Sequence, residues 1–422
     1  MVRCMDREPG HGHGADGLDL ARLGLEEFPE LARLAGMVYY GAPPSDAEVD
    51  RAGRLLDLDR SLGVRDRGEL VATAATCHVE LTVPGGRQLP AAGLTEVAVL
   101  PTHRRRGLMR RMVAAHIDDA RARGELASVL MATEGGIYGH LGYGVGTLRA
   151  DWELARANTA LRVAASQGQA RLLSAAEAIE VLPRVFDAHR RVQPGQLDRP
   201  AAWWQVYFED PSVVYKGAGP LQHAVFEGTT GVEGYAAWRL QPVWRASLAD
   251  HVVTVVDLVT LTDAAADGLL RLLTAVDLAG RLVLLGRPLD DPLRWRLQDL
   301  RQLRPRDLRD FLWLRLIDVA GALAARAYPT HDTLVLESVD PLGLAAGRWR
   351  LDASPDGAAC APTSASADLT LSLGDLGAAY LGGTGVVNLW RAGRVDEHTP
   401  DAVAHAERLF RTPSDPWCST QL

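Results

Sequence analysis

Apolar and polar positions alternate from Leu70 to Val83, which predicts a strand, and Pro84-Gly85-Gly86 then supplies a turn. Leu94 to Leu100 reads as a second strand. A helix follows with Leu108, Met112 and Ile117 on its buried side, and a third strand is expected from Ala127 to Ala132. Upstream, residues 18–62 read as mostly helical, with Leu20, Leu23, Leu31 and Leu34 at mixed three-to-four spacing. Strand, strand, helix, strand makes a mixed α/β domain over 18–148. Over 149–305 the pattern recurs more weakly. Gly231 to Leu240, Val252 to Leu261 and Leu282 to Leu285 read as strands, and Asp263 to Gly280 as a helix with Leu269, Leu270, Leu273 and Val276 on one face. This segment fits a diverged second copy of the first core. Residues 306–422 read as a third, α+β domain. Its strands are Leu312 to Ile317, Thr333 to Glu337, Gly347 to Leu351 and Asp368 to Leu373. Its helices are Val319 to Ala325, Gly374 to Leu381 and Thr399 to Phe410. Residues 1–17 read as a disordered tail, and Arg411 to Leu422, with Pro413 and Pro416, as an extended one.

A chain of 422 residues exceeds one hydrophobic core, at roughly 100–200 residues per domain. No apolar run approaches the ~20 residues that span a bilayer. The N-terminal residues lack the basic flank and apolar stretch of a secretory signal, so a cytoplasmic location is expected. Cys4, Cys77, Cys360 and Cys418 lack metal-ligand spacing and read as reduced thiols, and His11 and His13 as part of a solvated tail; no metal site is expected. The net charge of −8 argues against nucleic acid as a partner. Lys216 is the only lysine among 45 basic residues, so arginine content alone does not mark a phosphate-binding surface.

The chemistry concentrates in Glu96-Val-Ala-Val-Leu-Pro-Thr-His-Arg-Arg-Arg-Gly-Leu-Met-Arg-Arg-Met112. An apolar strand runs through a turn carrying Arg104, Arg105, Arg106 and Gly107 into a helix. A helix start already carries roughly half a positive charge, so three arginines there are in local conflict. The conflict vanishes if an anion such as a pyrophosphate sits at that end, held by free N–H groups and guanidinium groups, with Gly107 allowing close approach. A solvated basic turn paired to nearby carboxylates explains the arginines equally well by themselves. The second motif, Ala132-Thr-Glu-Gly-Gly-Ile-Tyr-Gly-His-Leu-Gly-Tyr-Gly144, follows the third strand and favours the anion site in context. Its glycines mark a tight connection with Tyr138 on a short helical turn, while Tyr143 reads as a core aromatic.

Together the two motifs resemble the acetyl-CoA signature and later tyrosine motif of the GNAT acetyltransferase superfamily. Arg104 and Gly107 match the Q/R-x-x-G-x-G/A pattern, and Met109 departs from its last position. The combination is similar to the Eis (enhanced intracellular survival) family. Leu81-Thr-Val-Pro-Gly-Gly, Leu89-Pro-Ala-Ala-Gly-Leu, Gly234-Tyr-Ala-Ala-Trp-Arg, Leu316-Ile-Asp-Val-Ala-Gly-Ala-Leu and Leu376 to Leu381 extend the likeness along the chain. The resemblance implies two tandem GNAT-like domains, the second without a cofactor turn, and then a sterol-carrier-protein-like domain whose C-terminal tail reaches the active site. It also implies assembly as a homohexamer.

The implied activity is acetyl transfer from acetyl-CoA to an amine of an aminoglycoside- or polyamine-like molecule or a lysine. By resemblance, Val97, Ala98 and Val99 line the pantetheine arm. Arg105, Arg106, Gly107, Leu108, Met109 and Arg110 hold the pyrophosphate, and Thr133 and Glu134 flank the cofactor from the other strand. Tyr138 falls at the general-acid position; a phenol of ordinary pKa about 10 is protonated at neutral pH. The main-chain carboxylate of Leu422 falls at the general-base position, though a frayed terminus is the usual state of a chain end. Tyr39, Glu96 and Gln421 are candidate substrate contacts, with Tyr39 and Tyr40 fitting a helix-end core pair equally well. Gln421 stands where relatives acting on polycations carry an acidic residue. Trp203 and Trp204 read as core or subunit-contact residues. The competing reading is a CoA- or lipid-binding regulator that keeps the fold without turnover.

Overall fold

Helix does not begin where the leucine spacing suggests. Leu18–Arg22 is a strand, β1, with Leu18 buried. It pairs antiparallel with β2 (Leu62–Asp66), Leu18 opposite Asp66 and Arg22 opposite Leu62. The expected helix over this segment is therefore corrected: Leu20 and Leu23 belong to a strand and the turn after it, and cross-strand pairing overrides their spacing. Helix α1 (Phe28–Tyr40) starts with Pro29 in its first turn, where a missing N–H costs nothing, and ends at Gly41 in the left-handed region. Ser45 and Glu48 form a capping box that opens α2 (Asp46–Leu55). The computed structural model describes residues 17–155, 160–162, 167–209 and 217–422. The expected tail up to residue 16, with Cys4, His11 and His13, lies outside the described residues, as does Lys216.

The described residues form two units. One comprises the chain up to Val79 with Ala91–Leu130 and Leu422, and the other Glu80–Pro90 with Met131–Gln421. In the first, strands run in the order β1-β2-β3-β4-β5, with β3 spanning Glu69–Thr82, β4 Gln88–Val99 and β5 Ala127–Met131. Phe28, Leu31, Leu34 and Ala35 of α1 pack on Leu70, Ala75 and Ala98 of the sheet. Helix α3 (Leu108–Ala122) buries Leu108, Met112, Val113, His116, Ile117 and Ala120, one stripe at helical period. Ile117→Ala would cost about 2–5 kcal/mol. The far end of α3 is tied down by Arg60, which bonds Asp119 at 2.8 Å and Glu125 at 2.9 and 2.7 Å. His116 sits between the hydroxyls of Thr76 and Ser128, 2.8 Å from each. Burial and the nearby Arg60 charge push its pKa down to about 4, so it is a neutral strut between β3 and β5.

The second unit carries α4 (Gly135–Tyr138) and β6 (Gly144–Val145), followed by a seven-stranded sheet. Its elements are β7 (Leu148–Ala155), β8 (Gln169–Leu173), α5 (Ala175–Arg190), α6 (Ala201–Phe208), β9 (Gln222–Gly228) and β10 (Gly231–Gln241). A small hairpin follows, β11 (Trp244–Arg245) and β12 (Leu248–Ala249). Then come β13 (His251–Thr260), α7 (Asp263–Thr274), β14 (Ala279–Arg287), α8 (Leu293–Arg296) and β15 (Leu303–Asp310). The order is β15-β7-β14-β13-β10-β9-β8, with β13 and β14 parallel. Helix α7 stops at Thr274, short of the expected Gly280, because Ala279 and Gly280 already open β14.

Strand β16 (Leu312–Leu316) pairs antiparallel with β6. A five-stranded sheet follows in the order β19-β18-β17-β20-β21, from β17 (Asp332–Val339), β18 (Gly347–Ser354), β19 (Gly357–Pro362), β20 (Leu369–Ser372) and β21 (Val395–Glu397). Four helices accompany it: α9 (Val319–Ala325), α10 (Leu373–Tyr380), α11 (Val386–Arg391) and α12 (Ala402–Phe410). No helix among the described residues is long and apolar enough to cross a membrane.

Candidate active site

In the first unit β4 and β5 run parallel only over Ala91–Ala127, Ala92–Ser128 and Gly93–Val129. Beyond Gly93 β4 continues to Val99 without pairing to β5, so the two strands part. The kink is at Glu96, a non-glycine residue at φ +50°, whose carbonyl accepts a hydrogen bond from Thr73 Oγ1 at 2.9 Å. The Glu96 side chain is half-buried, and desolvation pushes its carboxyl above the ordinary range. Tyr39 Oη donates to the Val97 carbonyl at 2.6 Å, so α1 is pinned to the parted strand and this tyrosine is a brace on that strand. Ala98 is buried; Val97 and Val99 are half-buried.

Strand β4 then turns through Pro101–His103 and enters α3 at Gly107, left-handed at φ +75°. Arg105 is also left-handed, at φ +62°, a strain of about 1–2 kcal/mol for a side chain with a Cβ. Arg104, Arg105, Arg106 and Arg110 are exposed, and a Cβ added at Gly107 would meet nothing within 4 Å. Among the described residues no side chain caps the helix at Gly107, and its first backbone turn is closed by the Arg111 N–H on Gly107 O at 3.1 Å. Arg104 reaches the Val99 carbonyl at 3.4 Å, and Arg106 stands 4.0 Å from Asp66, which is already bonded to His103. Leu108 anchors the turn in the core while Met109 is half-buried beside it. Open space, an uncapped helix start and several guanidinium groups fit a phosphate-rich anion. Leu422, the last residue, belongs to this unit. Its side chain lies against Gly93, beside Cys77, where β4 and β5 part; a Cβ at Gly93 would sit 3.1 Å from Leu422 Cδ2.

Thr133, Glu134, Tyr138 and Gln421 belong to the second unit. Thr133 and Glu134 are exposed between β5 and α4. Tyr138 ends α4 and is buried, packed edge-on against Tyr143 with ring centres 6.0 Å apart. Burial, with the Glu134 charge, pushes its phenol up to about 12. The phenol is thus a proton donor throughout the neutral range, and its hydroxyl has no hydrogen-bond partner among the described residues. The turn after it is held by Arg315 of β16, which donates to the Leu141 carbonyl at 2.8 Å and pairs with Asp340 through two further 2.8 Å bonds, both side chains fully buried. A Cβ at Gly142 would collide with that guanidinium, and one at Gly144 with the carbonyl oxygen of Gly374. Neither Arg315 nor Asp340 was legible as part of the site. The one signal was an arginine inside the apolar run of β16, which needs a buried partner.

The chain end is not frayed. Trp417, Cys418 and Thr420 are buried without regular structure, and Gln421, though exposed, accepts a 3.2 Å hydrogen bond on its carbonyl from Trp203 Nε1. Trp204 is core, stacked on Phe208 and edge-on to Phe186.

The middle sheet repeats the parting without the anion chemistry. β13 and β14 pair only as far as Val255–Leu284, and α7 follows β13 as α3 follows β4. There Thr262 caps its own helix, Asp263 occupies the first turn, and Arg287 donates across the gap to the Leu258 carbonyl. A cavity of about 410 Å³ remains beside it, lined by Leu258, Thr260, Ala266, Leu270, Arg287 and Leu293 among others.

Comparison with known proteins agrees with this geometry. Residues 19–146 and 195–316 each match an Acetyltransferase (GNAT) domain, and residues 319–419 match a Sterol carrier protein domain. An uncharacterized N-acetyltransferase of Streptomyces coelicolor is 40% identical over 385 residues, covering 89% of this chain and 93% of its own. N-acetyltransferase Eis of Mycobacterium tuberculosis is 34% identical over 354 residues, covering 81% and 84%. Among solved structures, Eis1 from Mycobacterium abscessus superposes with a TM-score of 0.84 at 33% identity over 96% of this chain and all of its own. A GCN5-related N-acetyltransferase from Anabaena variabilis shares the fold at a TM-score of 0.82 and 17% identity. Two GNAT domains and a sterol-carrier-like domain in one chain, with relatives of this identity and coverage, mean that the chain is an acyltransferase and belongs to the Eis family of GNAT N-acetyltransferases.

Proposed function

We propose that this chain transfers an acetyl group from acetyl-CoA to an amine, of an aminoglycoside- or polyamine-like small molecule or of a lysine. The observation that carries this reading is the parting of β4 from β5 after Gly93, leading into an uncapped helix start ringed by exposed arginines. Acetyl-CoA supplies an activated thioester. Arg105, Arg106 and Arg110, with the N–H groups from Gly107 to Arg110, hold its pyrophosphate. Backbone groups of Val97, Ala98 and Val99 line its pantetheine arm, and an N–H of that strand favours the negative charge that develops on the reacting oxygen. Thr133 and Glu134 flank it.

Tyr138 keeps its proton at neutral pH and delivers it to the departing thiolate. The Leu422 main-chain carboxylate accepts the proton of the attacking amine. An ordinary α-carboxyl, with a pKa of about 3.3–3.7, is a weak base at pH 7, so burial or a relaying water assists it. Tyr39, Glu96 and Gln421 shape the acceptor side. Glu96 supplies a carboxyl that suits a cationic acceptor, and Gln421 supplies no charge. By the same family likeness six chains assemble, which light scattering checks.

The test is release of free thiol from acetyl-CoA with an aminoglycoside, a polyamine and a lysine peptide offered separately. Acceptor-dependent release supports the reading. Binding of CoA with no release across a broad panel of amines would replace it with a CoA-binding regulator.

A further inference from the structure

The C-terminal tail is fastened by one buried residue whose hydrogen-bonding capacity is fully used. Arginine carries five N–H donors. Arg199 aims two of them into the middle sheet, to Asp257 Oδ2 at 2.6 Å and Tyr235 Oη at 3.2 Å. Tyr235 in turn donates to Asp257 Oδ2 at 2.7 Å. The other three go to the tail: Nε to Thr420 Oγ1 at 3.2 Å, and Nη2 to the Ser419 carbonyl at 3.3 Å and Ser419 Oγ at 3.0 Å. The guanidinium is buried between rings, 3.9 Å from the centre of Phe186 and 4.2 Å from that of Trp203.

Neighbours repeat the grip. The Gln196 amide exchanges two 3.1 Å bonds with Ser419, and Trp417 donates to the Gly286 carbonyl at 2.7 Å. An arginine and an aspartate buried at this depth are costly unless each donor and acceptor is matched, and here the match is completed by the tail. The middle sheet, which lacks the arginine turn, supplies both Tyr235 and Asp257.

We infer that Arg199, with Asp257 and Tyr235, is a positioning clamp that fixes the chain end so that the Leu422 carboxylate is presented in one place. The inference rests on the proposed role of that carboxylate, and it gives the second GNAT domain a purpose of its own, which is to hold the tail. The clamp closes on Ser419 and Thr420, leaving only Gln421 and Leu422 beyond it.

Carboxypeptidase A removes a terminal leucine only from an open end, so trimming of Leu422, followed by intact mass, reports release of the tail. Ser419→Ala/Thr420→Val removes tail-side bonds and leaves the Arg199–Asp257 pair intact, so the fold survives; Asp257→Asn attacks the clamp from the other side. Losing bonds to a buried cation raises the open population roughly ten- to hundredfold, and trimming should rise with it. Alkylation of Cys418, buried in the parent chain, should rise in parallel. Turnover should fall by a similar factor with the KM for acetyl-CoA unchanged. A folded tail-side variant trimmed as slowly as the parent overturns the clamp. Faster trimming with undiminished turnover upholds the clamp and overturns the carboxylate as base.

Discussion

Asp340→Asn is the most informative single change. Asp340 is fully buried and accepts two bonds from Arg315 at 2.8 Å, besides three backbone N–H groups, of Leu342 at 3.0 Å, Leu344 at 2.7 Å and Ala345 at 2.8 Å. The asparagine keeps the size and one acceptor but leaves Arg315 without a counter-charge. Removing one partner of a buried pair costs about 3–5 kcal/mol, against a domain stability of about 5–15 kcal/mol. At about 2–4 °C per kcal/mol this is a fall of roughly 6–20 °C in Tm. Arg315 also holds the Leu141 carbonyl, so the turn carrying Tyr138 loosens, and on the proposed role of that tyrosine a shift of about 1 Å costs roughly a hundredfold in rate.

The assay is kcat measured well below the lowered transition, with the Kd for CoA beside it. We expect kcat to fall and Kd to hold. In a Tyr138→Phe background the same substitution should cause little further loss, because both act through one hydroxyl. Burial alone would raise the Asp340 carboxyl, but the Arg315 hydrogen bond and charge outweigh it and hold the pKa at about 2. A depressed folded pKa gives stability that is complete above the unfolded value, near 4, and fades as pH falls toward 2. That acid limb should vanish in the variant. Parental turnover in a clearly destabilised enzyme would refute the link from Asp340 to the tyrosine, and a parental Tm would refute the buried pair itself.

Tyr138→Phe should cut turnover roughly 10²–10⁴-fold with CoA affinity intact in calorimetry; an equal loss of affinity would make the tyrosine structural. Because its pKa stands near 12, the parent should show no loss of rate from tyrosine ionisation below about pH 10, and a descending limb that disappears in Tyr138→Phe near pH 8 would contradict this. Arg105→Gly should move two quantities in opposite directions. Thermal stability rises by about 1 kcal/mol as the left-handed strain is relieved, and CoA affinity falls and becomes less salt-dependent as a cation is lost. Residues added after Leu422 should depress turnover without lowering Tm, and a fully active extended chain would remove the carboxylate from the mechanism.

The arginine turn stood out because cations gathered at a helix start conflict with the helix dipole, and the second motif, rather than the arginines by themselves, favoured an anion there. The short helical turn carrying Tyr138 was legible through its glycines, and α7 through its period. Other elements were hidden by what sequence periodicity cannot hold. β1 is a strand because Leu62–Asp66 lies beside it, a partner some forty residues away. Helix α5 announces itself in the Ser174–Glu177 capping box, but Pro183 in its interior breaks the pattern. The buried tail has no period at all, since its order comes from Arg199 and Gln196 far upstream.

The buried pair beneath the tyrosine turn has a consequence for how the enzyme comes into being. The ribosome makes the first GNAT domain first. Yet its tyrosine turn is walled by Arg315, Asp340 and the Gly374 carbonyl, all from the last third of the chain. A prematurely terminated polypeptide therefore carries the whole first motif and an unfinished tyrosine turn. On the proposed role of Tyr138, a chain ending before Asp340 lacks the pair that holds this turn, and its turnover should be lost even where the first domain folds.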